Sequence, residues 1–193
     1  MSMDVLLVFF YSYLIGSVPF GLILTKIFLK KDIRKIGSGN IGTTNVLRTG
    51  KKYLALATLL LDASKGYITT VISFIYFYDL VFLSALFCLV GHVLPIWLRF
   101  KGGKGVAVYF GIILGLSFHL GVIFSLSWVL IAFIFKYSSL SSIVGSFTVF
   151  AYSLVLNNYS LNIFLFVIFI IILITHRENI RRLKNSKESK IKL

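Results

Sequence analysis

The chain has 193 residues, of which 58% are hydrophobic, 16% aromatic and 13% charged. Soluble domains hold about 45–50% apolar and about 25% charged residues, so a soluble globular domain and a disordered chain are both excluded. The net charge is +14, but the 20 Lys and Arg residues sit between long apolar runs. That pattern fits an integral membrane protein with a basic cytoplasmic face better than a nucleic-acid binder.

A spanning helix needs roughly 20 mostly apolar residues. Such runs occur at 3–25, 53–78, 80–98, 105–118, 120–135, 141–157 and 160–175, within a single polytopic membrane domain covering 1–193. The first run lacks a basic flank and an A-x-A cleavage pattern, so it reads as a retained span. The stretch 105–135 is either two short spans meeting near His119 or one long bent helix. Charge decides between them. Seven spans place every Lys and Arg except Lys65, which lies inside span two, on one side, with only Asp4 and Asp79 opposite. Six spans would send Lys136 and the basic C-terminus to the other side. The expected fold is therefore all-α, with seven transmembrane helices, the N-terminus outside and the C-terminus cytoplasmic. The outer loops are tiny, so function belongs on the cytoplasmic face. No inverted repeat of the transporter kind is visible.

The first inner loop reads Ile36-Gly37-Ser38-Gly39-Asn40-Ile41-Gly42-Thr43-Thr44-Asn45-Val46-Leu47-Arg48. It is either a flexible interfacial loop or an anion site. Its glycines let backbone N–H groups converge, its Ser, Asn and Thr offer neutral hydrogen bonds, and Arg48 offers a fork matched to phosphate. The second inner loop, Phe100-Lys101-Gly102-Gly103-Lys104-Gly105, places glycines between two lysines. It is not a Walker A loop, because Leu98 and Gly105 stand where Gly and Ser or Thr are required. It reads as a phosphate loop or as a basic anchor with a tight turn. His92, in Gly91-His92-Val93-Leu94-Pro95, is either a hydrogen-bonded structural residue or a catalyst. Asp62 and Lys65 share a face of span two at i, i+3 and can neutralise each other. An ionisable pair within a span is costly, and it serves either structure or function. Ser138, Ser139, Ser141 and Ser142 can cap the start of span six or line a site. At the C-terminus, His176 and Asn179 share a helix face if span seven continues. Cys88 is the lone cysteine, which rules out an internal disulfide or a zinc cluster.

Several segments carry a resemblance when taken in order. They are Gly16-Ser17-Val18-Pro19-Phe20-Gly21; Gly37 to Asn45 with Arg48; Asp62 with Lys65-Gly66; Gly91-His92 with Pro95 through Lys101-Gly102-Gly103-Lys104-Gly105-Val106; and His176-Arg177-Glu178-Asn179-Ile180 with Arg182-Leu183. Spread over essentially the whole chain, this ordered set resembles the bacterial acyl-phosphate:glycerol-3-phosphate acyltransferases, the PlsY family. The resemblance implies a seven-helix inner-membrane enzyme with its active site on the cytoplasmic side. It would move a fatty acyl group from an acyl-phosphate to the 1-hydroxyl of glycerol 3-phosphate, giving lysophosphatidic acid and phosphate. It implies no cofactor, metal or nucleotide, and no nucleic-acid partner; the bilayer is the surrounding partner, and no oligomeric state follows. Ser38, Arg48, Lys104, His176 and Asn179 would be catalytic. Gly39, Asn40, Thr44, Asn45, His92, Lys101, Gly102, Gly103, Ser141, Ser142 and Arg182 would bind substrate. Thr43, Val108 and Ser186 depart from the family pattern, which has Ala, Thr and Gly there.

The soluble acyltransferase signature H-x-x-x-x-D is absent, since Trp97, Phe124 and Arg181 follow the three histidines at that spacing. No carboxylate is well placed to take the proton of the attacking hydroxyl. That leaves His176 or a substrate phosphate as the base, and the basic surroundings of His176 favour the phosphate. Two other classes compete: a transporter or flippase for an anionic lipid, which the midplane pair Asp62/Lys65 would suit, and a basic membrane anchor, which would need no glycine and Asn loops.

Overall fold

The computed structural model describes residues 3–191, and no strand occurs among them. The chain divides into two compact units at Leu116/Ser117.

The first unit holds α1 (Met3–Ser17), α2 (Phe20–Leu29), α3 (Thr43–Leu47), α4 (Lys52–Tyr76), α5 (Val81–Val93) and α6 (Val106–Leu116). Pro19, which has no N–H to donate, separates α1 from α2. The run read as 3–25 is thus two helices, and the second reaches Leu29. The run read as 80–98 stays α-helical only to Val93, because Leu94 precedes Pro95. Helices in lipid gain little from apolar contact with one another, so close backbone approach at small residues holds them. A Cβ on Gly66 would run into the Val108 carbonyl, and one on Gly111 into the Ala63 carbonyl, which makes the α4–α6 crossing dependent on glycine. The α1–α5 crossing is built the same way, with Gly16 on the Cys88 carbonyl and Gly91 on that of Tyr13. Hydroxyls add directional ties: Ser12 bonds Ser84 at 2.7 Å, and Tyr11 bonds both Ser84 and Ser73. A small apolar core of Leu22, Ile33, Ile41, Val46, Leu54 and Ala55 anchors the loop between α2 and α4.

The second unit holds α7 (Phe118–Phe135), α8 (Ser138–Ser153), α9 (Tyr159–Thr175) and α10 (Arg177–Lys184). Ser117 is extended (φ −164°, ψ 128°), so the stretch 105–135 is two helices and not one. Between α7 and α8 the chain turns at Lys136, whose φ is 62°. Trp128 Nε1 donates to Ser142 Oγ at 3.2 Å, and Ser127 bonds Thr148 at 3.1 Å. Asn158 caps α9 by accepting from Leu161 N–H. Past Thr175 the chain continues as helix α10 but bends by 61° at His176.

Among the described residues, five stretches are long and apolar enough to cross a membrane: Met3–Leu29, Lys52–Tyr76, Tyr78–Leu98, Phe118–Phe135 and Ser138–Leu156. Tyr159–Thr175 qualifies only together with the bent Arg177–Lys184. Helix α6 has 11 residues, about 16 Å at 1.5 Å per residue against a hydrocarbon core of about 30 Å.

If the α4–α6 crossing depends on absent side chains, Gly111→Ala must force the two backbones apart. Overpacking of this kind costs about 1–3 kcal/mol. The expected outcome is a lowered thermal midpoint in detergent, with Lys31→Ala at an exposed loop position unaffected.

Candidate anion-binding loops and the C-terminal turn

In the first unit the loop between α2 and α4 is organised from inside. Asp32 accepts from the backbone N–H of Arg34 at 3.0 Å and from its guanidinium at 2.6 Å. The side-chain hydrogen bond from Arg34 outweighs burial and lowers the Asp32 carboxyl to about 2. Asn45, 2% exposed, is the strut of the loop. Its Oδ1 accepts from Ser38 N–H at 2.9 Å, and its Nδ2 lies 3.0, 2.9 and 2.7 Å from the carbonyls of Ile33, Ile36 and Asn40. Asn40 Oδ1 in turn accepts from Gly42 N–H at 2.8 Å, at the entry to α3. Gly37 has a φ of 56°, and a Cβ there would press on Arg48, 2.9 Å from Cδ and 3.2 Å from Nη1. The glycine thus lets the arginine side chain lie along the loop. Of the expected residues here, Ser38, Gly39, Thr44 and Arg48 are exposed, Asn40 is half-buried and Asn45 is enclosed.

The loop after α5 closes differently from the sequence expectation. Gly102 N–H donates to Val93 O at 3.1 Å and Gly103 N–H to His92 O at 3.0 Å. These are the amides expected to face an anion, and they satisfy the last carbonyls of α5 instead. Close approach is still the reason for glycine, since a Cβ on Gly103 would fall on the His92 ring. The loop is also tied to α1: Trp97 Nε1 donates to Ser17 O at 2.8 Å and Tyr13 OH to Leu94 O at 2.8 Å. Lys101 is exposed and Lys104 half-buried. Beneath the loop, Lys65 Nζ lies 2.9 Å from Asp62 Oδ1, 2.9 Å from His92 Nδ1 and 2.8 Å from Val18 O. An ammonium only donates, so His92 Nδ1 is the acceptor and its ring proton sits on Nε2.

In the second unit no side chain caps α8. Ser141 Oγ donates to Tyr137 O at 2.9 Å and Ser142 Oγ to Ser138 O at 2.8 Å, both from buried positions inside the helix. His176 is 3% and Asn179 5% exposed. His176 Nδ1 lies 2.8 Å from Ile172 O. A carbonyl only accepts, so Nδ1 carries a proton and the neutral ring keeps its acceptor at Nε2. Glu178 pairs with Arg181 at 2.7 Å on the exposed side of α10.

The residue that sequence reasoning missed is Glu188. Its side chain is 6% exposed. It accepts from Ser139 Oγ at 2.9 Å, Asn179 Nδ2 at 2.6 Å and Arg182 Nε at 2.6 Å. Burial raises its pKa, but the hydrogen bonds of Arg182, Asn179 and Ser139 outweigh that and hold it below its usual value. A turn at the end of α10 brings it there. Lys187 N–H donates to Arg182 O at 2.7 Å and Ser186 N–H to Leu183 O at 3.0 Å, the paired bonds of a Schellman cap. Ser186, with a φ of 54°, occupies the left-handed position that glycine prefers. The family glycine expected at this position was therefore the one available signal for the turn. Among the described residues no three of His, Cys, Asp and Glu gather where they could hold a metal.

Bilayer-length apolar helices joined by glycine-rich loops that carry Arg48, Lys101 and Lys104 define an integral membrane protein whose loops suit phosphate-bearing ligands. A family model described as glycerol-3-phosphate acyltransferase matches residues 6–186, and the chain belongs to that family. A glycerol-3-phosphate acyltransferase of Pelagibacter ubique (strain HTCC1062) is 54% identical over 99% of this chain and 100% of its own length. One from Bradyrhizobium diazoefficiens is 49% identical over 93% of this chain and 91% of its own. Among solved structures, the chain is similar to PlsY (YgiH), an integral membrane glycerol 3-phosphate acyltransferase, in its glycerol 3-phosphate form. The TM-score is 0.93 and the identity 32%, covering 98% of this chain and 96% of that one. The lysophosphatidic acid form of the same protein matches with a TM-score of 0.90.

The Glu188 clamp has a signed pH dependence. The hydrogen bonds hold its folded pKa below the usual glutamate value, so its stabilisation is present above that usual value and is lost as pH falls through the lower folded one. Glu188→Gln should lower the thermal midpoint at neutral pH. The gap from the unsubstituted protein should narrow as pH falls below the usual carboxylate range; a gap that stays constant throughout that fall would count against the charged clamp.

Proposed function

We propose that the protein transfers a fatty acyl group from an acyl-phosphate to the 1-hydroxyl of glycerol 3-phosphate, releasing lysophosphatidic acid and phosphate as the first acylation of phospholipid synthesis. The observation that carries this reading is the full-length likeness to a PlsY solved in forms named for glycerol 3-phosphate and lysophosphatidic acid. The motif order of the sequence supports the acyl-phosphate as donor. An acyl-phosphate is a mixed anhydride, already activated, so the reaction requires no nucleotide. The hydroxyl oxygen attacks the acyl carbon, the bond from that carbon to the phosphate oxygen breaks, and phosphate leaves with the electron pair.

In the first unit, Arg48 and Lys104 are assigned to phosphate charge, with Ser38, Thr44, Gly39 and Asn40 as neutral donors and acceptors and Lys101 at the rim. Lys104 and its loop are assigned to glycerol 3-phosphate. Asn45, Gly102, Gly103 and His92 serve by holding these loops in shape. In the second unit, His176, Asn179, Arg182, Ser141 and Ser142 are assigned to the same reaction. Cationic groups at the departing phosphate and the oxyanion lower the barrier in proportion to the charge that develops there. The hydroxyl proton goes to a substrate phosphate oxygen, whose second pKa is about 6, while His176 and Asn179 orient the reactants.

We assign seven crossings to the chain as one polytopic domain in the bacterial inner membrane, with the N-terminus outside and the C-terminus and the reaction on the cytoplasmic face. The segregation of every Lys and Arg but Lys65 supports this. It requires the short α6 to cross as well.

Purified protein in detergent, given acyl-phosphate and glycerol 3-phosphate, should release phosphate and form lysophosphatidic acid; acyl-coenzyme A should not replace the donor. A general base contributes about 10²–10⁴-fold. His176→Gln should therefore lose affinity or part of the rate and keep the pH profile of kcat. Loss of the limb near about pH 6–7 together with most of kcat would make His176 the base. For topology, single cysteines at Lys51, Lys101 and Lys190 in a Cys88→Ser background should all resist an impermeant thiol reagent in intact cells. Labelling at Lys190 but not Lys51 would rule out seven crossings.

A further inference from the structure

We infer that Lys65 is a positioning residue for the loop that presents Lys104, acting through the His92 ring, an inference that rests on the acyl-transfer reading above. That reading gives no part to Lys65 or Asp62, yet both are buried, as is the His92 ring that Lys65 meets. An ion pair inside a bilayer-length helix is expensive to maintain. If bare stability were its only return, apolar residues of similar size would serve as well or better.

The geometry gives the charge a task. Lys65 Nζ meets three groups from different parts of the unit: Asp62 Oδ1 on its own helix at 2.9 Å, Val18 O at the α1–α2 break at 2.8 Å, and His92 Nδ1 on α5 at 2.9 Å. It also lies 5.6 Å from the centre of the Phe20 ring. With Nδ1 held as acceptor, the imidazole has one tautomer and one orientation. Its opposite edge is the surface against which Gly103 closes, so near that a methyl group could not be inserted. The same residue's carbonyl takes the Gly103 N–H at 3.0 Å, and Val93 O takes that of Gly102 at 3.1 Å. Gly103 is followed directly by Lys104. The path from a buried ammonium to a loop lysine is therefore a chain of short contacts: Lys65, the His92 ring, Gly103, Lys104. Losing the ammonium frees the ring to rotate, and the loop then loses the surface that sets where Lys104 begins.

A structural pair and a positioning pair differ in what survives their replacement. The double variant Asp62→Leu with Lys65→Met removes both charges at similar volume, which leaves folding intact. Glycerol 3-phosphate binding is measured by titration calorimetry, and phosphate release by steady-state kinetics, on the full chain in detergent. The expected result is a thermal midpoint close to that of the unsubstituted protein, with Kd and KM for glycerol 3-phosphate raised about tenfold and kcat changed by less than about threefold. His92→Asn gives a second reading: it keeps a polar partner for Lys65 but removes the ring surface under Gly103, and should raise the same KM. A folded double variant with unchanged Kd and KM overturns the inference, as does a loss confined to kcat. If the double variant does not fold, His92→Asn decides on the same criterion. An unsubstituted protein that neither binds glycerol 3-phosphate nor releases phosphate overturns the acyl-transfer reading itself, and this inference with it.

Discussion

Backbone N–H and C=O groups that leave a helix must find partners, all the more so where lipid or burial keeps water away, and the irregular segments of this protein answer to that constraint. At the Val18–Pro19 break the Val18 carbonyl receives the Lys65 ammonium. At the end of α5 the carbonyls of His92 and Val93 receive the amides of Gly103 and Gly102. Around Asn45, three carbonyls and one amide are gathered onto a single side chain. The last turn of α10 closes on itself through Ser186 and Lys187. Amides spent in this way cannot bind a ligand. In the proposed function, anion recognition by these loops is therefore assigned to the side chains of Ser38, Thr44, Arg48 and Lys104.

The same constraint shapes the helix packing. Lipid tails are as apolar as leucine, so association must come from close fit and directional bonds. The α4–α6 and α1–α5 crossings supply the fit, each with two glycines set against partner carbonyls. The hydroxyls of Tyr11, Ser12, Ser73 and Ser84 supply the bonds, tying α1, α4 and α5 at one level.

Much of the helical organisation was legible because apolar runs are long and local. The Asp62/Lys65 pair was legible because i, i+3 spacing fixes a shared face, and the structure holds it at 2.9 Å. Features that depend on chain reversal were not. Whether Asn45 points into its loop or out of it is decided by carbonyls at Ile33, Ile36 and Asn40, which helical periodicity does not place. Glycines at 102 and 103 signal close approach, but the sequence does not say to what; the structure sets both against the end of α5. Glu188 lies nine positions beyond Asn179 and 49 beyond Ser139, and no spacing rule relates them once the chain turns back. The bend at His176 falls within a stretch whose composition permits a continuous helix.

An activated donor changes what the protein has to supply. In the proposed reaction the acyl-phosphate carries the energy in its anhydride bond, and the protein's task reduces to placement and charge. Placement favours long cationic side chains seated on rigid turns. Arg48 offers a planar fork and Lys104 a point charge, and each belongs to a loop whose own backbone is closed by internal bonds. A backbone amide nest would grip one phosphate in one geometry. Two substrates that both carry phosphate, one of which must depart as product, are better met by side chains that can follow the charge as it moves from the anhydride to the leaving group. In the first unit, Asn45 and His92 then supply the rigid scaffold, and the cations proposed for the phosphates supply the adaptable part.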